Sequence, residues 1–380
     1  MTASSDTLTV PAVASVEAPL QPELGSAGMG AVSTSWVPAM DWASIRPEWE
    51  DLAAAAGPNV FLAPAFALAA RGISSPRGLG ALLISRDGEP IGLVAGRLGF
   101  ARTVFTLWTH DYAPYGVPLV RPGEAAVVAE ALFAFLAQEG IAALDAPLLD
   151  AGPFAAALDA RATAHRMQVV DAHRRAVLTE APPPLSKEHR RLSRRLGERG
   201  CLAAVSTATG HDPGAAIAAF LALEAEGWKG RRGTALATDP ATQVFFEDAV
   251  GGLAEKGRVR IDMLLLDGRP IAAGLVLSAG DRAWYLKTTY DEAFARYSPG
   301  VLLSHAIGKA AISIPGVELV DSCAIPGHSM IERIWPGRMA LSTRFVAIRA
   351  GRPGWRYHAA LACRRAFSGG KAMAKRLLRG

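Results

Sequence analysis

Ionisable side chains in the second half of the chain could perform acid–base chemistry. Asp321 ends the apolar stretch VELVD, where partial burial would raise the pKa of its carboxylate towards neutrality and suit it to act as a general base. Glu224 lies four residues before Trp228 on a predicted helix, so these two side chains share one face. Asp321 could instead cap the following loop, and Glu224 could lie on a helix surface. Further candidate carboxylates are Asp262 and Glu332.

The stretch from Trp284 to Ala311 has the order of elements that is typical of an anion-binding site. Its first part, AWYLKTTYD, alternates bulky residues as a strand does, and its last part, VLLSHAIGKAA, has the apolar periodicity of a helix. Unpaired N–H groups and the positive end of the helix dipole would face the turn between them. An ordinary strand-to-helix connection capped by Ser298 fits the same pattern. The residues placed to contact a phosphate are Lys287, Arg296, Ser298, Gly300 and Val301.

Length and composition favour a two-domain protein. The 380 residues suit two domains of ordinary size, and the Ser-, Pro-, Ala- and Gly-rich residues 1–35 predict a disordered leader rather than a signal peptide. Every long apolar run is broken by a charge, a glycine or a proline, so no transmembrane helix is expected. The three scattered cysteines and the lack of CxxC or HExxH spacing predict neither a disulfide framework nor a metal site. The cytoplasm, including the inner face of its membrane, is the expected compartment.

The C-terminal segment is strongly basic. Net charge is +5, but after Glu332 no acidic residue occurs while twelve residues are basic. Residues 346–380 combine aromatic and leucine residues with regularly spaced cations, which predicts an amphipathic tail for an anionic membrane face or a phosphate-rich ligand such as a cyclic dinucleotide. A solvated, disordered tail is the alternative. The cations concerned are Arg364, Arg365, Lys371, Lys375, Arg376 and Arg379.

An internal repeat divides the chain. The pattern Asp-Gly-x-Pro-Ile occurs at Asp87 and again at Asp267, each time within a predicted β-hairpin. The shared order of elements around the two copies indicates duplication of one α/β unit of about 150 residues. A run of three prolines at 182–184 separates the copies and gives predicted domains at 36–180 and 181–345. The basic helix predicted at 187–199 could be a solvated surface or could face phosphates.

Three stretches of the second half resemble the GNAT acyltransferase superfamily. They are LEAEGWKG from Leu223, DGRPIAAGLVL from Asp267 and YLKTTYDEAFARYSPGVLL from Tyr285. Within that superfamily the chain looks most similar to the double-domain branch of cellulose-biosynthesis-type acetyltransferases and Fem-type peptidyltransferases. The resemblance implies an α/β (α+β) fold of two tandem GNAT-like domains, each a mixed, mostly antiparallel sheet flanked by helices. It also implies that acyl-CoA lies between two splayed strands, with its pyrophosphate at the turn before Val301.

The same resemblance implies an N-acyltransferase that uses acetyl-CoA as co-substrate. The acceptor would be an amino sugar or similar precursor of exopolysaccharide or cell envelope, bound by Trp228 and Lys229. Asp321 or Glu224 would accept the proton of the amine, and Tyr297 or Tyr290 would protonate the leaving thiolate. Packing roles remain open for Trp228 and Tyr297. The alternatives are an aminoacyl-tRNA-dependent transferase of the Fem type and a catalytically silent scaffold; no DNA partner and no metal are expected.

Overall fold

The computed structural model describes residues 30–99 and 102–377 as a mixed α/β fold. The first half contains β1 (Val32–Pro38), α1 (Arg46–Ala55), α2 (Pro64–Ala70), β2 (Leu79–Arg86), β3 (Glu89–Leu98), β4 (Val104–Leu107), β5 (Leu119–Val120), α3 (Ala125–Gln138), β6 (Ala143–Leu149), α4 (Pro153–Ala160) and β7 (Met167–Leu178). The second half contains α5 (Lys187–Gly197), β8 (Leu202–Ser206), α6 (Pro213–Glu226), α7 (Trp228–Arg231), α8 (Pro240–Ala254), β9 (Val259–Leu266), β10 (Arg269–Ala279), β11 (Arg282–Tyr290), α9 (Pro299–Ile312), β12 (Leu319–Asp321), α10 (Ile331–Ile334), β13 (Gly337–Ala347) and α11 (Trp355–Leu377).

The strands of both halves form one mixed sheet. Their order is β1-β2-β3-β4-β6-β13-β7-β12-β11-β10-β9-β8, with β5 paired to β3 outside this path. Most neighbours are antiparallel, whereas β4 with β6 and β11 with β12 are parallel. On one face, α1, α2, α6 and α8 share a single core that spans both halves. On the other face, α3 and α9 cover one half each. This arrangement of a mixed sheet flanked by helices confirms the predicted fold class.

Exchanged strands join the two halves at the centre of the sheet. Strand β13 comes from the second half but lies between β6 and β7, antiparallel to both. Strand β7 belongs to the first half, yet it pairs with β13 and with β12. The ladder between β7 and β13 runs from Gly337↔Val177 to Val346↔Met167. The sequence predicted a sheet in each half; it gave no sign of the exchange, because pairing between distant strands is not encoded in local periodicity.

The two hairpins identified by the repeat have the same local geometry. Asp87 and Asp267 both adopt a φ of 50° at the start of their turns. Each donates its backbone N–H to the residue just before the outermost strand of its half, at the carbonyl of Ala31 or Cys201, both at 2.9 Å. In return its Oδ1 accepts the N–H of the same residue, at 2.9 Å for Ala31 and 2.8 Å for Cys201. This shared arrangement supports the predicted duplication.

The N-terminal strand begins inside the segment that was predicted to be disordered. Residues 32–35 belong to β1, which pairs with β2 from Val32↔Arg86 to Pro38↔Gly80. Trp36 anchors this strand by stacking on Phe135, with ring centroids 5.6 Å apart. The run VSTS has the composition of the leader because the residues of an edge strand can be polar where they are exposed. The remaining part of the predicted leader, residues 1–29, lies outside the described residues.

The basic C-terminal segment packs against the first half. Tyr357 and Leu361 of α11 are buried beside Phe345 in a small core of their own. Arg364 Nε donates to Asp145 Oδ2 at 2.8 Å, and Arg365 donates to Gln168.

These contacts give Arg364 and Arg365 a role in docking α11, since an amphipathic helix suits a protein face as well as a membrane. An anionic ligand or membrane surface for the tail stays a prediction. Lys371, Lys375 and Arg376 lie within α11, and Arg379 lies outside the described residues. Among helices of the described residues, none is long and apolar enough to cross a membrane.

Candidate functional site

A cleft of about 510 Å³ opens where β11 and β12 separate. The two strands pair only from Arg282↔Leu319 to Trp284↔Asp321. Beyond this point β11 continues to Tyr290, whereas the chain leaves the sheet after β12. Within the described residues, this edge of β11 therefore has no neighbouring strand. An extended ligand that contains amide groups could hydrogen-bond to it as an added strand would.

A β-bulge in β11 directs side chains to the two ends of the cleft. Leu275 of β10 pairs with Lys287, and the next residue pairs with Tyr285, so Leu286 is the extra residue. Strict alternation would place Tyr285 and Lys287 on the same face. Instead, the Tyr285 hydroxyl lies 2.8 Å from Ser304 Oγ of α9, while Lys287 faces α6 on the opposite side.

Glu224 on α6 is a buried, ion-paired carboxylate. Its Oε1 lies 2.8 Å from Lys229 Nζ and 3.1 Å from Lys287 Nζ, and its Oε2 accepts the N–H of Leu236 at 2.9 Å. Burial raises the pKa of Glu224, but Lys287, Lys229 and the Leu236 N–H together outweigh this effect, so the pKa is below its usual range. A carboxylate with a lowered pKa is a weak base, and both oxygens of Glu224 already have partners. Glu224 therefore positions two lysines, in contrast to its predicted catalytic role.

Lys287 is the more buried of the two cleft lysines. Its side chain is 13% exposed, against 24% for Lys229. Burial lowers the pKa of Lys287 and Lys229 lowers it further, and the opposing effect of Glu224 does not restore it fully. The ammonium group also lies 5.0 Å from the centroid of the Tyr112 ring, a cation–π contact.

Asp321 has a structural position away from the cleft lining. Its fully buried carboxylate accepts Arg175 Nη1 at 3.0 Å and the N–H of Cys323 at 2.8 Å. Arg175 also donates to the carbonyl of Pro114 at 2.9 Å, which ties β7 to a loop of the first half. The ion pair replaces the general-base role predicted for Asp321. The apolar pattern before Asp321 indicated burial but could not show a partner 146 residues away.

Replacing Arg175 by Met will destabilise the protein strongly. The change leaves the Asp321 carboxylate buried without its partner, which costs about 3–5 kcal/mol in comparable cases. Urea unfolding measures this loss. Arg174→Met on the same strand is the matched control, since Arg174 is exposed and its removal is expected to cost less than about 0.5 kcal/mol. Equal stabilities of the two variants would show that the pair contributes nothing.

The predicted phosphate turn contributes one residue to the cleft lining. Ser298 adopts a φ of 54°, and its carbonyl accepts the N–H of Val301 at 3.0 Å. The N–H of Val301 is therefore used within the turn, and Pro299 has no N–H group that could bind a phosphate. Gly300 lines the cleft at the first turn of α9, where a Cβ would lie 3.2 Å from Tyr290 Cδ1. The positive end of the helix dipole thus meets the cleft at Gly300.

Two other residues predicted near this turn lie outside the cleft lining. Arg296 is exposed, with its guanidinium 4.9 Å from the centroid of the Tyr297 ring. Tyr297 is buried in the core beneath α9, so its hydroxyl is not placed to protonate a leaving group in the cleft. Some of the predicted site residues therefore line the cleft and others do not. The members that line the cleft are Glu224, Trp228, Lys229, Lys287 and Gly300.

The corresponding opening in the first half is filled by its own chain. After β4, the segment 108–118 lies beside β6, where the N–H of Gly116 donates to the carbonyl of Leu148 at 3.2 Å, and it leads into β5, which pairs with β3. A Cβ at Gly116 would lie only 1.9 Å from the carbonyl oxygen of Pro147, so this close approach requires glycine. Among the described residues, the opening beside the parallel strand pair is therefore filled in the first half and open in the second.

The same segment supplies two cleft residues that sequence reasoning missed. Asp111 and Tyr112 line the second-half cleft although they belong to the first half. Asp111 is exposed, and burial raises the pKa of Tyr112, as do the charges of Glu224 and Asp111. The available signal was the density of ionisable and aromatic residues in THDYAPYG.

The cleft lining also includes a half-exposed tryptophan and a thiol of low acidity. Trp228 is 43% exposed and offers an apolar wall at the start of α7. Burial raises the pKa of the Cys323 thiol well above its ordinary value, so this thiol is not an activated nucleophile. Across residues 30–99 and 102–377, no group of histidine, cysteine and carboxylate side chains could hold a metal ion.

Comparison with known proteins assigns a domain to the part of the chain that contains the cleft. Residues 185–326 match the family model described as an acetyltransferase (GNAT) domain. The comparison with curated proteins found no match. The matched segment contains the hairpin β9–β10, the bulged strand β11 and the start of α9. The second half thus carries a GNAT domain, which assigns acyltransferase chemistry in general to this part of the chain.

Solved structures share the fold over most of the chain. A conserved protein of unknown function from Bacteroides thetaiotaomicron VPI-5482 is 11% identical, with 83% of this chain and 99% of that chain covered and a TM-score of 0.51. L-PGS from Bacillus licheniformis is also 11% identical, with 84% and 96% covered and a TM-score of 0.51. FemX is 12% identical, with 79% and 95% covered and a TM-score of 0.49. At these identities the likeness concerns the fold alone.

Proposed function

We propose that this protein is an acyl-CoA-dependent N-acyltransferase that uses acetyl-CoA. The observation that carries the proposal is the open edge of β11 beside the N-terminus of α9, in a segment that matches a GNAT domain. The acceptor we propose is the amine of an amino sugar or similar precursor of exopolysaccharide or cell envelope. This last step rests on the resemblance of the LEAEGWKG and YSPG stretches.

Each end of the cleft suits one part of the reaction. The exposed edge of β11 could hydrogen-bond the amides of a pantetheine arm, and the α9 N-terminus at Gly300 suits a phosphate. The amine would attack the carbonyl carbon of the thioester, the C–S bond would break, and CoA would leave as a thiolate that takes up a proton from water. On the α6 side, the cleft carboxylates are Asp111 and Glu224, and the latter is occupied by two lysines. Asp111 is therefore our candidate to accept the proton of the amine, directly or through a water molecule.

Gly300→Asp will weaken acetyl-CoA binding at least about tenfold, or roughly 1.4 kcal/mol. The substitution places a negative charge at the end of α9 that faces the phosphates and narrows the cleft beside Tyr290. Isothermal titration with acetyl-CoA measures the effect.

Two variants control for this result. Gly300→Ala tests the added volume without the charge, and Arg296→Ala removes an exposed cation outside the cleft lining and should change affinity less than about twofold. Unchanged affinity in Gly300→Asp would refute the proposed site. If the wild-type protein binds tRNA but not acetyl-CoA, with an affinity that falls steeply with salt, the aminoacyl-tRNA alternative is favoured.

A further inference from the structure

The lysine cluster on the α6 side of the cleft carries an excess positive charge. Lys229 and Lys287 share one oxygen of Glu224, and the other oxygen accepts a backbone N–H. Two ammonium groups and one carboxylate leave a net charge of +1 in a largely buried position. An uncompensated charge with low solvent exposure costs free energy. We therefore expect a bound anion to stabilise this lysine cluster.

The position of the cluster separates it from the end of the cleft that suits the CoA phosphates. Gly300 and Met330 lie on the α9 side of the sheet, where Tyr285 contacts Ser304. The bulge at Leu286 turns Lys287 to the opposite, α6 side. An anion bound by the lysines is therefore distinct from the CoA phosphates that the α9 end of the cleft would bind.

We propose that the acceptor amine carries an anionic group, a carboxylate or a phosphate, that binds Lys229 and Lys287. This inference rests on the proposed acyltransferase function and narrows its acceptor class. Asp111 also lines the cleft, and its carboxylate suits the ammonium group of the same acceptor. The acceptor is thus a zwitterion before it reacts, such as an amino acid or a phosphorylated amino sugar.

Removal of one lysine provides a clean test because it leaves a balanced ion pair. In Lys229→Met the remaining charges, Glu224 and Lys287, neutralise each other, so the variant should fold; Lys287→Met is the reciprocal case. The thermal midpoint of the wild-type protein should rise with millimolar inorganic phosphate or acetate at constant ionic strength. In either variant the apparent dissociation constant of that anion should increase at least about tenfold.

Lys309→Met is the control for loss of a positive charge on the same half of the chain. Lys309 is exposed near the C-terminal end of α9, so this variant should keep the wild-type response. The inference is overturned if neither anion shifts the wild-type midpoint, or if both lysine variants respond as the wild-type protein does. Titration with acetyl-CoA tests the proposed function separately. If the protein binds acetyl-CoA but no anion, the proposed function stands and the inference about the acceptor is wrong.

Matched acceptors distinguish the two sources of the anion. With acetyl-CoA, glucosamine 6-phosphate is compared with glucosamine, and glycine with glycinamide, by release of free thiol. We expect the charged member of one pair to have a kcat/KM at least about tenfold higher, because its anion binds the lysines in the transition state as well as in the ground state. Equal rates within both pairs would overturn the inference.

Discussion

A chain that ends at residue 336 is expected to fold in neither half. The deletion removes β13, which pairs with β6 and β7 at the centre of the sheet. Without it, β7 keeps only its two pairs with β12, at Val320 and Asp321. The deletion also removes Leu341, Phe345 and Val346 from three different core clusters. Since domains are stable by only about 5–15 kcal/mol, this loss should exceed the whole stability.

Circular dichroism with thermal denaturation measures the result. We expect the shortened chain to lack a cooperative transition. A chain that ends at residue 350 is the matched control: it loses α11 but keeps β13, so it should unfold cooperatively at a lower temperature. A normal transition in the chain that ends at residue 336 would mean that the strand exchange is not required for folding.

Glu224→Gln will destabilise the protein by about 3 kcal/mol. The substitution keeps the shape of the side chain but leaves Lys229 and Lys287 next to each other without a compensating charge. Glu226→Gln is the matched control on the same helix. Glu226 is 67% exposed and lies 3.6 Å from Arg269, and exposed pairs of this kind contribute about 0–1 kcal/mol. Similar urea midpoints for the two variants would contradict the role given to Glu224.

The difference between wild-type protein and Glu224→Gln should also depend on pH. The pKa of Glu224 is lower in the folded protein than its ordinary value of 4.5, so the folded state binds fewer protons near that pH than the unfolded state does. The stabilisation by Glu224 is therefore fully present above about pH 4.5 and is lost as the pH falls through the lowered pKa. Unfolding measured from neutral to acidic pH should show the two proteins converging.

Local patterns predicted the elements well where one face of an element is buried. The hairpin at Asp267, the helix before Trp228 and the strand, turn and helix from Trp284 all occur where the sequence places them. The repeat of Asp-Gly-x-Pro-Ile was informative because an aspartate and a glycine at positive φ suit the tight turn of a hairpin. Edge strand β1 was missed because its exposed polar residues lack a clear alternation.

The roles of single site residues were harder to predict. Glu224 and Asp321 were equally plausible as bases, and the structure gives each of them a basic partner from another element. Asp111 was not predicted as a site residue because it belongs to the other half of the chain. The place of Asp111 in the cleft depends on the conformation of its loop. Arg175 holds this loop through the carbonyl of Pro114, and the Tyr115 hydroxyl holds it through a 2.7 Å hydrogen bond to Asp150.

Sequence patterns were enough to predict the duplicated α/β unit, its hairpins and the strand, turn and helix that border the cleft. These features depend on residues close together in the chain, whose periodicity and turn chemistry are local. Three features are evident from the three-dimensional fold alone: the halves exchange strands, the first-half opening is closed, and a bulge turns Lys287 towards Glu224. Each of these follows from contacts between distant segments, which packing and charge compensation select and which no local pattern records.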